Sequence, residues 1–387
     1  MGRFTMRMGR RMMAALAISS VLAMGRPVLA SDHADPVALG DPESNITDLF
    51  FFPQGDQMIL IFNVVRSLLA PEPYNLEPFT YQINMDLTTP VSTQDDANRA
   101  RYGGTVLVPD QIHPDVSITI HLHDDVTLKD VTFKGLDERQ TGNIKQYFSV
   151  RDDPFIFPRF FGKNVISMVL SIPKSAFPAG QHDYILWGTT SKNGHQIDHV
   201  GRSIRSQLPR FGFLNTLAPK DHLKALMEMK TQRDGIYNFL HTSKEWWAVA
   251  AGDLLQFTYQ LRKYDLQPDV MIYSDRFPVG YPNGRVLTDD VVAQTCSFGD
   301  CLLQELSFIE GGWPRATKND KEFSPDWPFE AAPWPEQKVV PAATHSVLPW
   351  VILGAIGLIV VSWLIGEIVR RLACWLFGKW WRRVVDA

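Results

Sequence analysis

The sequence predicts a mainly β domain, an antiparallel sandwich or barrel with a helical insert, followed by a single C-terminal transmembrane helix. Three observations carry that expectation. Between residues 49 and 190, short runs rich in Val, Ile, Phe and Thr recur, separated by Pro, Gly, Asn and Asp. These are the composition and punctuation of strands joined by turns. From Pro219 the texture changes, and APKDHLKALMEMKTQ places apolar residues at helical spacing behind a proline; Glu245 to Tyr264 continues the pattern. Near the end, Val347 to Gly366 is twenty residues without one charge. At about 1.5 Å of rise per residue, that length matches a hydrocarbon core of roughly 30 Å.

The chain begins with Arg3, Arg7, Arg10 and Arg11, then the apolar run Ala14 to Ala23, then Val28-Leu29-Ala30 before Ser31. A charged leader, a short apolar segment and small residues at a cut define a secretory signal over residues 1–30. The Arg10-Arg11 pair leaves the twin-arginine export route open beside the general one. Residues 31–312 then form the predicted extracytoplasmic β-rich domain. Its strands are expected at Leu49 to Phe52, Met58 to Val65, Phe79 to Met85 and Ser117 to His121. Others are expected at Val126 to Phe133, Gln146 to Val150, Val165 to Ile172 and Tyr184 to Thr190. The helical insert covers about residues 219–264, and strand-like signals return at Val270 to Tyr273 and Gln304 to Phe308.

Residues 313–346 hold Pro314, Pro325, Pro328, Pro333, Pro335 and Pro341, a composition that favours an extended, semi-rigid stalk. Phe323, Trp327, Phe329 and Trp334 call for packing, so the first half of this stretch is expected to strap across the domain. After the apolar run, the tail 367–387 carries Arg370, Arg371, Lys379, Arg382 and Arg383 against Glu367 and Asp386. Basic flanks mark the cytoplasmic side. The expected placement is therefore a bacterial inner membrane crossed once, with the large domain periplasmic and the C-terminus cytoplasmic. The aromatic, basic tail RRLACWLFGKWWRRVV can lie on the inner leaflet or meet an integral membrane protein complex.

The whole chain holds 38 Lys and Arg against 42 Asp and Glu. Setting aside ten basic and two acidic residues in the two ends leaves 28 against 40 in the domain, a net charge of −12. Such a surface argues against nucleic acid, whose binders carry basic patches. Cys296 and Cys301 (CSFGDC) fall in the oxidising compartment and are expected to form a disulfide, whereas Cys374 lies in the cytoplasmic tail as a free thiol.

Several residues can carry chemistry. Cleavage after Ala30 would start the mature chain with Ser31-Asp32-His33, an amine-and-histidine terminus that suits Cu(II) or Ni(II), set against a His33 that simply hydrogen-bonds within the fold. Asp35 and Asp48, with Asp32, Asp41 and Glu43, supply hard oxygen ligands of the kind Ca²⁺ takes, set against the bland reading of a capped, solvated turn. His121 and His123 share one face of a strand whose other face is Ile118, Ile120 and Leu122. Two histidines at i and i+2 can reach one metal, or simply belong to a wet strand face. His182, His195 and His199, with Asp183 and Asp198, flank the run YILWGTTS without a fixed spacing. No GxSxG, P-loop, GxGxxG, CxxCH or HExxH motif is present.

Four stretches are carried together: Ser31-Asp32-His33-Ala34-Asp35-Pro36, Asn45-Ile46-Thr47-Asp48-Leu49-Phe50, Tyr281-Pro282-Asn283-Gly284-Arg285-Val286-Leu287-Thr288-Asp289-Asp290-Val291, and Asn319-Asp320 through Pro333. Over Ser31 to about Pro335 the chain resembles a family of secreted bacterial proteins with a domain of unknown function. Members of that family open on a Ser-His-Arg-x-x-Pro-like motif and contain Pro-Asn-Gly-Arg-x-Leu-Thr-Asp-Asp-Val. The chain departs from the pattern at its start and in its membrane anchor. The resemblance implies a fold unit and brings no activity. Physically, Pro282-Asn283-Gly284 is a turn, and Arg285 beside Asp289 and Asp290 is expected to form a structural clamp. The resulting expectation is a binding or accessory subunit of a membrane complex; a calcium- or copper-binding protein and an enzyme with an unrecognised site are the alternatives.

Overall fold

The computed structural model describes residues 42–335, except 66–67, 69–72, 207, 209, 259 and 312–313, and scattered residues between 356 and 375. The predicted signal segment, His33, Asp35 and the end of the proline-rich stretch lie outside the described residues. Of the apolar run, Ile356, Gly357, Val360 to Leu364 and Gly366 are described, and they are helical. Among the described residues no helix is long and apolar enough to cross a membrane. The domain lies within one compact unit, Pro27–Lys338.

Twelve strands are described. They run β1 (Ile46–Gln54), β2 (Gln57–Val64), β3 (Phe79–Asp86), β4 (Val91–Ser92), β5 (Thr105–Val106) and β6 (Val116–Leu122). The rest are β7 (Leu128–Lys134), β8 (Lys145–Asp152), β9 (Asn164–Pro173), β10 (Asp183–Lys192), β11 (His195–Val200) and β12 (Met271–Ser274). One antiparallel sheet has the order β1-β2-β9-β8; the other has β11-β10-β3-β6-β7, with β12 pairing on β10. Period-2 alternation then decides which side chains meet. Leu49, Phe51, Leu60, Phe62, Met168 and Leu170 of the first sheet share one core with Tyr81, Ile83, Ile118, Ile120 and Leu186 of the second. The two sheets therefore face each other as a sandwich.

The outer faces are not left to water. Phe50, Phe52, Ile59, Ile61 and Val169 on the back of the first sheet are covered by Leu287, Phe323, Trp327 and Phe329. That is why β1 reads as an unbroken apolar run (LFFF) instead of alternating. The described part of the proline-rich segment, residues 314–335, lies along this face and is fastened by polar contacts. Trp334 Nε1 donates to Asp152 at 2.5 Å, Arg151 donates to the Glu330 carbonyl at 2.7 Å, and Asn164 and Trp334 exchange two bonds of 2.8 and 3.0 Å. On the other sheet Ile185 and Trp187 pack under Val106, Ile112, Val270 and Ile272.

Helices Pro219–His241 and Trp246–Thr258 form an antiparallel hairpin, pinned by His241 against Asp253 (3.5 Å) and by Gln260 donating to Asp234 (2.9 Å). One expectation is corrected here. Gln304 to Phe308 is not a strand but part of helix Leu302–Gly311. Leu303 and Ser307, four residues apart, are the buried positions there, which is helical periodicity. The strands at β4, β5 and β11, too short or too polar to stand out, went unanticipated.

Candidate anion pocket

The loop after β11 reads Gly201-Arg202-Ser203-Ile204-Arg205-Ser206 and continues to Arg210-Phe211. Three arginines in ten residues would ordinarily face solvent, yet Arg202, Arg205 and Arg210 are 5%, 7% and 3% exposed. Ile204, between the first two, has φ +68°, a left-handed conformation that costs a β-branched residue about 1–3 kcal/mol and survives only where the surroundings enforce it. The loop is gripped by the segment Arg262 to Asp269. Arg202 Nη2 donates to Pro268 O (2.9 Å), and Arg205 Nη2 donates to Asp265 O (2.7 Å) and Gln267 O (2.5 Å). Aromatic faces complete the cradle: Tyr102 under Arg202 at 4.3 Å, Phe211 under Arg205 at 4.4 Å, and Tyr264 under Arg101 at 4.1 Å.

Beneath this loop His222 is buried and stays neutral. His222 Nδ1 accepts from Asp269 N (3.1 Å) and its Nε2–H donates to Leu217 O (3.0 Å). Burial first, then the adjacent His199, pulls His222 down to about 3. Burial works to raise the Asp269 carboxyl, yet His199, Arg205 and Arg202 together hold it below the usual range. Burial, followed by the neighbouring Arg202, lowers the Arg205 guanidinium to about 9. A cavity of about 50 Å³ opens among Arg101, Tyr102, Arg202, Arg205, Thr295 and Asp300.

The residues singled out from the sequence go elsewhere. Arg285 Nη2 donates to Asp48 Oδ1 at 2.9 Å, with side chains 1% and 0% exposed. Arg285 thus pairs with Asp48, and the expected clamp on Asp289 and Asp290 is corrected, since those two acids bond elsewhere. Asp289 Oδ2 instead accepts from Tyr281 N and Val286 N, both at 2.8 Å, and so shapes the turn. Asp290 caps helix Val291–Ser297 and pairs with Arg315. The turn itself joins both sheets: Arg285 exchanges two 3.2 Å backbone bonds with Phe51 in β1, while Asn283 Oδ1 accepts from Ser274 N in β12 at 2.7 Å.

Nor do the histidines converge. His121 pairs with Asp130 and His123 with Glu77, each at 3.0 Å. His182 pairs with Asp275 at 2.9 Å, beside a groove of about 840 Å³ floored by Tyr184 and Tyr273. Asp198 accepts from Ile46 N at 2.9 Å. Among the described residues no three His, Cys, Asp or Glu side chains are grouped so as to hold a metal ion. Cys296 and Cys301 form a disulfide.

The arginine pocket was missed because its parts come from helix Asp96–Tyr102, from residues 202–211 and from 262–300. The available signal was RSIRSQLPR, a basic cluster within an acidic domain. Comparison with protein families, curated proteins and solved structures gives no match.

Proposed function

We propose that the chain is a membrane-anchored, extracytoplasmic binding module that serves as an accessory subunit to another protein. Residues 347–366 cross the membrane once, the β-rich domain lies outside, and the basic tail lies inside. The observation that carries the docking role is the tip of the helical hairpin. There Phe239 is 78% exposed, and Trp246 and Trp247, just across the turn, are 43% and 45% exposed. Large aromatics left in water at one projecting point mark an interaction surface. The uncharged run and its Trp- and Arg-rich tail support the same reading, since a plain stop-transfer segment needs fewer aromatics.

The test is a photo-crosslinking residue at position 239 in the full chain, activated in native membranes. One discrete adduct, lost in Trp246→Ala/Trp247→Ala, is expected. A chain that gives no adduct and migrates as a monomer on native electrophoresis at all loads would refute the reading.

A further inference from the structure

We propose that Arg202 and Arg205, with Arg101 at the mouth, bind a small oxyanion, either inorganic phosphate or the carboxylate of a short organic acid. The inference is independent of the docking role, since the hairpin tip contributes nothing to the cavity.

Charge accounting is the first argument. Five guanidinium groups gather here, those of Arg101, Arg202, Arg205, Arg210 and Arg262, around the cavity carboxylates Asp265 and Asp300. Arg210 occupies both acids, at 2.6 Å from Asp300 and 3.4 Å from Asp265, and Arg262 adds a second contact to Asp300 at 3.4 Å. The guanidinium groups of Arg202 and Arg205 bond to backbone carbonyls and lie on aromatic faces. Among the described residues, Nε of each is buried without a hydrogen-bond partner. Asp269, which accepts from Arg202 N at 2.9 Å and lies 3.7 Å from His199 Nε2, adds a third carboxylate beside them. Five guanidinium groups thus stand against Asp265, Asp269 and Asp300, an excess of positive charge that a further negative charge would stabilise.

Size and lining agree with that assignment. About 50 Å³ of open space holds roughly three to five water-sized groups, the bulk of a tetrahedral oxyanion or a short carboxylic acid. Thr295, on the same wall, has a buried hydroxyl without a hydrogen-bond partner among the described residues. Tyr102, Phe211 and Phe298 exclude water and keep the guanidinium planes fixed, and a planar, preset fork is what bidentate recognition of an oxyanion requires. The lowered affinity of Arg205 for its proton, caused by burial and by Arg202, is the strain that a bound anion would relieve.

The test is isothermal titration calorimetry on the detergent-solubilised full chain with sodium phosphate and with sodium succinate, against sodium chloride at matched ionic strength. Saturable binding of at least one oxyanion at one site per chain is expected; phosphate alone or succinate alone identifies the source. Arg205→Met should weaken binding by at least about tenfold. Because that buried substitution can also perturb folding, Arg101→Gln at the half-buried mouth is the second variant. It should leave thermal unfolding without anion unchanged and weaken binding about threefold to tenfold. Heats no larger than those of chloride would overturn the proposal, and so would binding that Arg101→Gln leaves unchanged.

Discussion

Replacing Glu330 by Gln should remove a pH-dependent loss of stability in the strap that covers the first sheet. Glu330 is fully buried; it accepts from Asn63 Nδ2 at 2.8 Å and from the hydroxyl of Ser167. Burial dominates the opposing hydrogen bonds and raises its carboxyl from 4.5 to about 7. The folded chain therefore holds a proton that the unfolded chain has already released. The stabilisation is complete below about pH 4.5 and is lost as pH rises to about 7. At 1.36 kcal/mol per unit, the window of about 2.5 units amounts to about 3 kcal/mol. Gln keeps an acceptor for Asn63, offers a donor towards Ser167 and does not ionise. Urea unfolding of the full chain in detergent, followed by tryptophan fluorescence at pH 4.5, 6 and 8, measures the effect. Glu330→Gln should match the native chain within about 1 kcal/mol at the lowest pH and exceed it by about 3 kcal/mol at pH 8. Parallel pH profiles for the two chains would refute the reasoning.

Three further substitutions probe the closure of the sandwich. Arg285→Met leaves Asp48 buried without its ion pair and should cost about 3–5 kcal/mol in urea unfolding; a loss below 1 kcal/mol would show that the pair is dispensable. Gly284 has φ +68°, and a Cβ there would lie 2.6 Å from the Phe51 carbonyl. Gly284→Ala should therefore cost about 2–3 kcal/mol, whereas Gly55→Ala, at φ +62° with nothing within 4 Å, should cost about 1 kcal/mol. Equal costs at the two glycines would rule out the close approach as the cause. Cys296→Ser/Cys301→Ser opens a loop of sequence separation 5, and loop-closure entropy puts the loss at about 2 kcal/mol, readable as a lowered urea midpoint.

What was legible in the sequence was local. Nine strands were anticipated within a few residues because their apolar runs end at Pro, Gly and Asn, and because tertiary packing agrees with local β preference. The helical hairpin was legible for the same reason, from Pro219 and a 3.6-residue period. Gln304 to Phe308 misled because five residues hold too few apolar positions to separate a period of 2 from one of 3.6; burial of both Leu303 and Ser307 resolves it.

The partners of the candidate site residues were not legible in the same way, and the reason is chain separation. Each acid or histidine was weighed against its sequence neighbours, whereas the partner that decides its role lies far along the chain. Asp48 waits 237 residues for Arg285, Asn63 waits 267 for Glu330, and Asp152 waits 182 for Trp334. Arg202 and Arg205 meet the carbonyls of Asp265 to Pro268 some 60 residues on. No local pattern encodes such pairings, because a buried charge imposes no periodicity on its own strand. What a sequence can reveal is an imbalance, and RSIRSQLPR within a domain of net −12 is one. Burial turns that imbalance into chemistry. An exposed basic run would be screened and of little consequence, whereas the same arginines packed against Tyr102 and Phe211, with Asp269 as a neighbouring carboxylate, keep an excess of positive charge that a bound anion would offset.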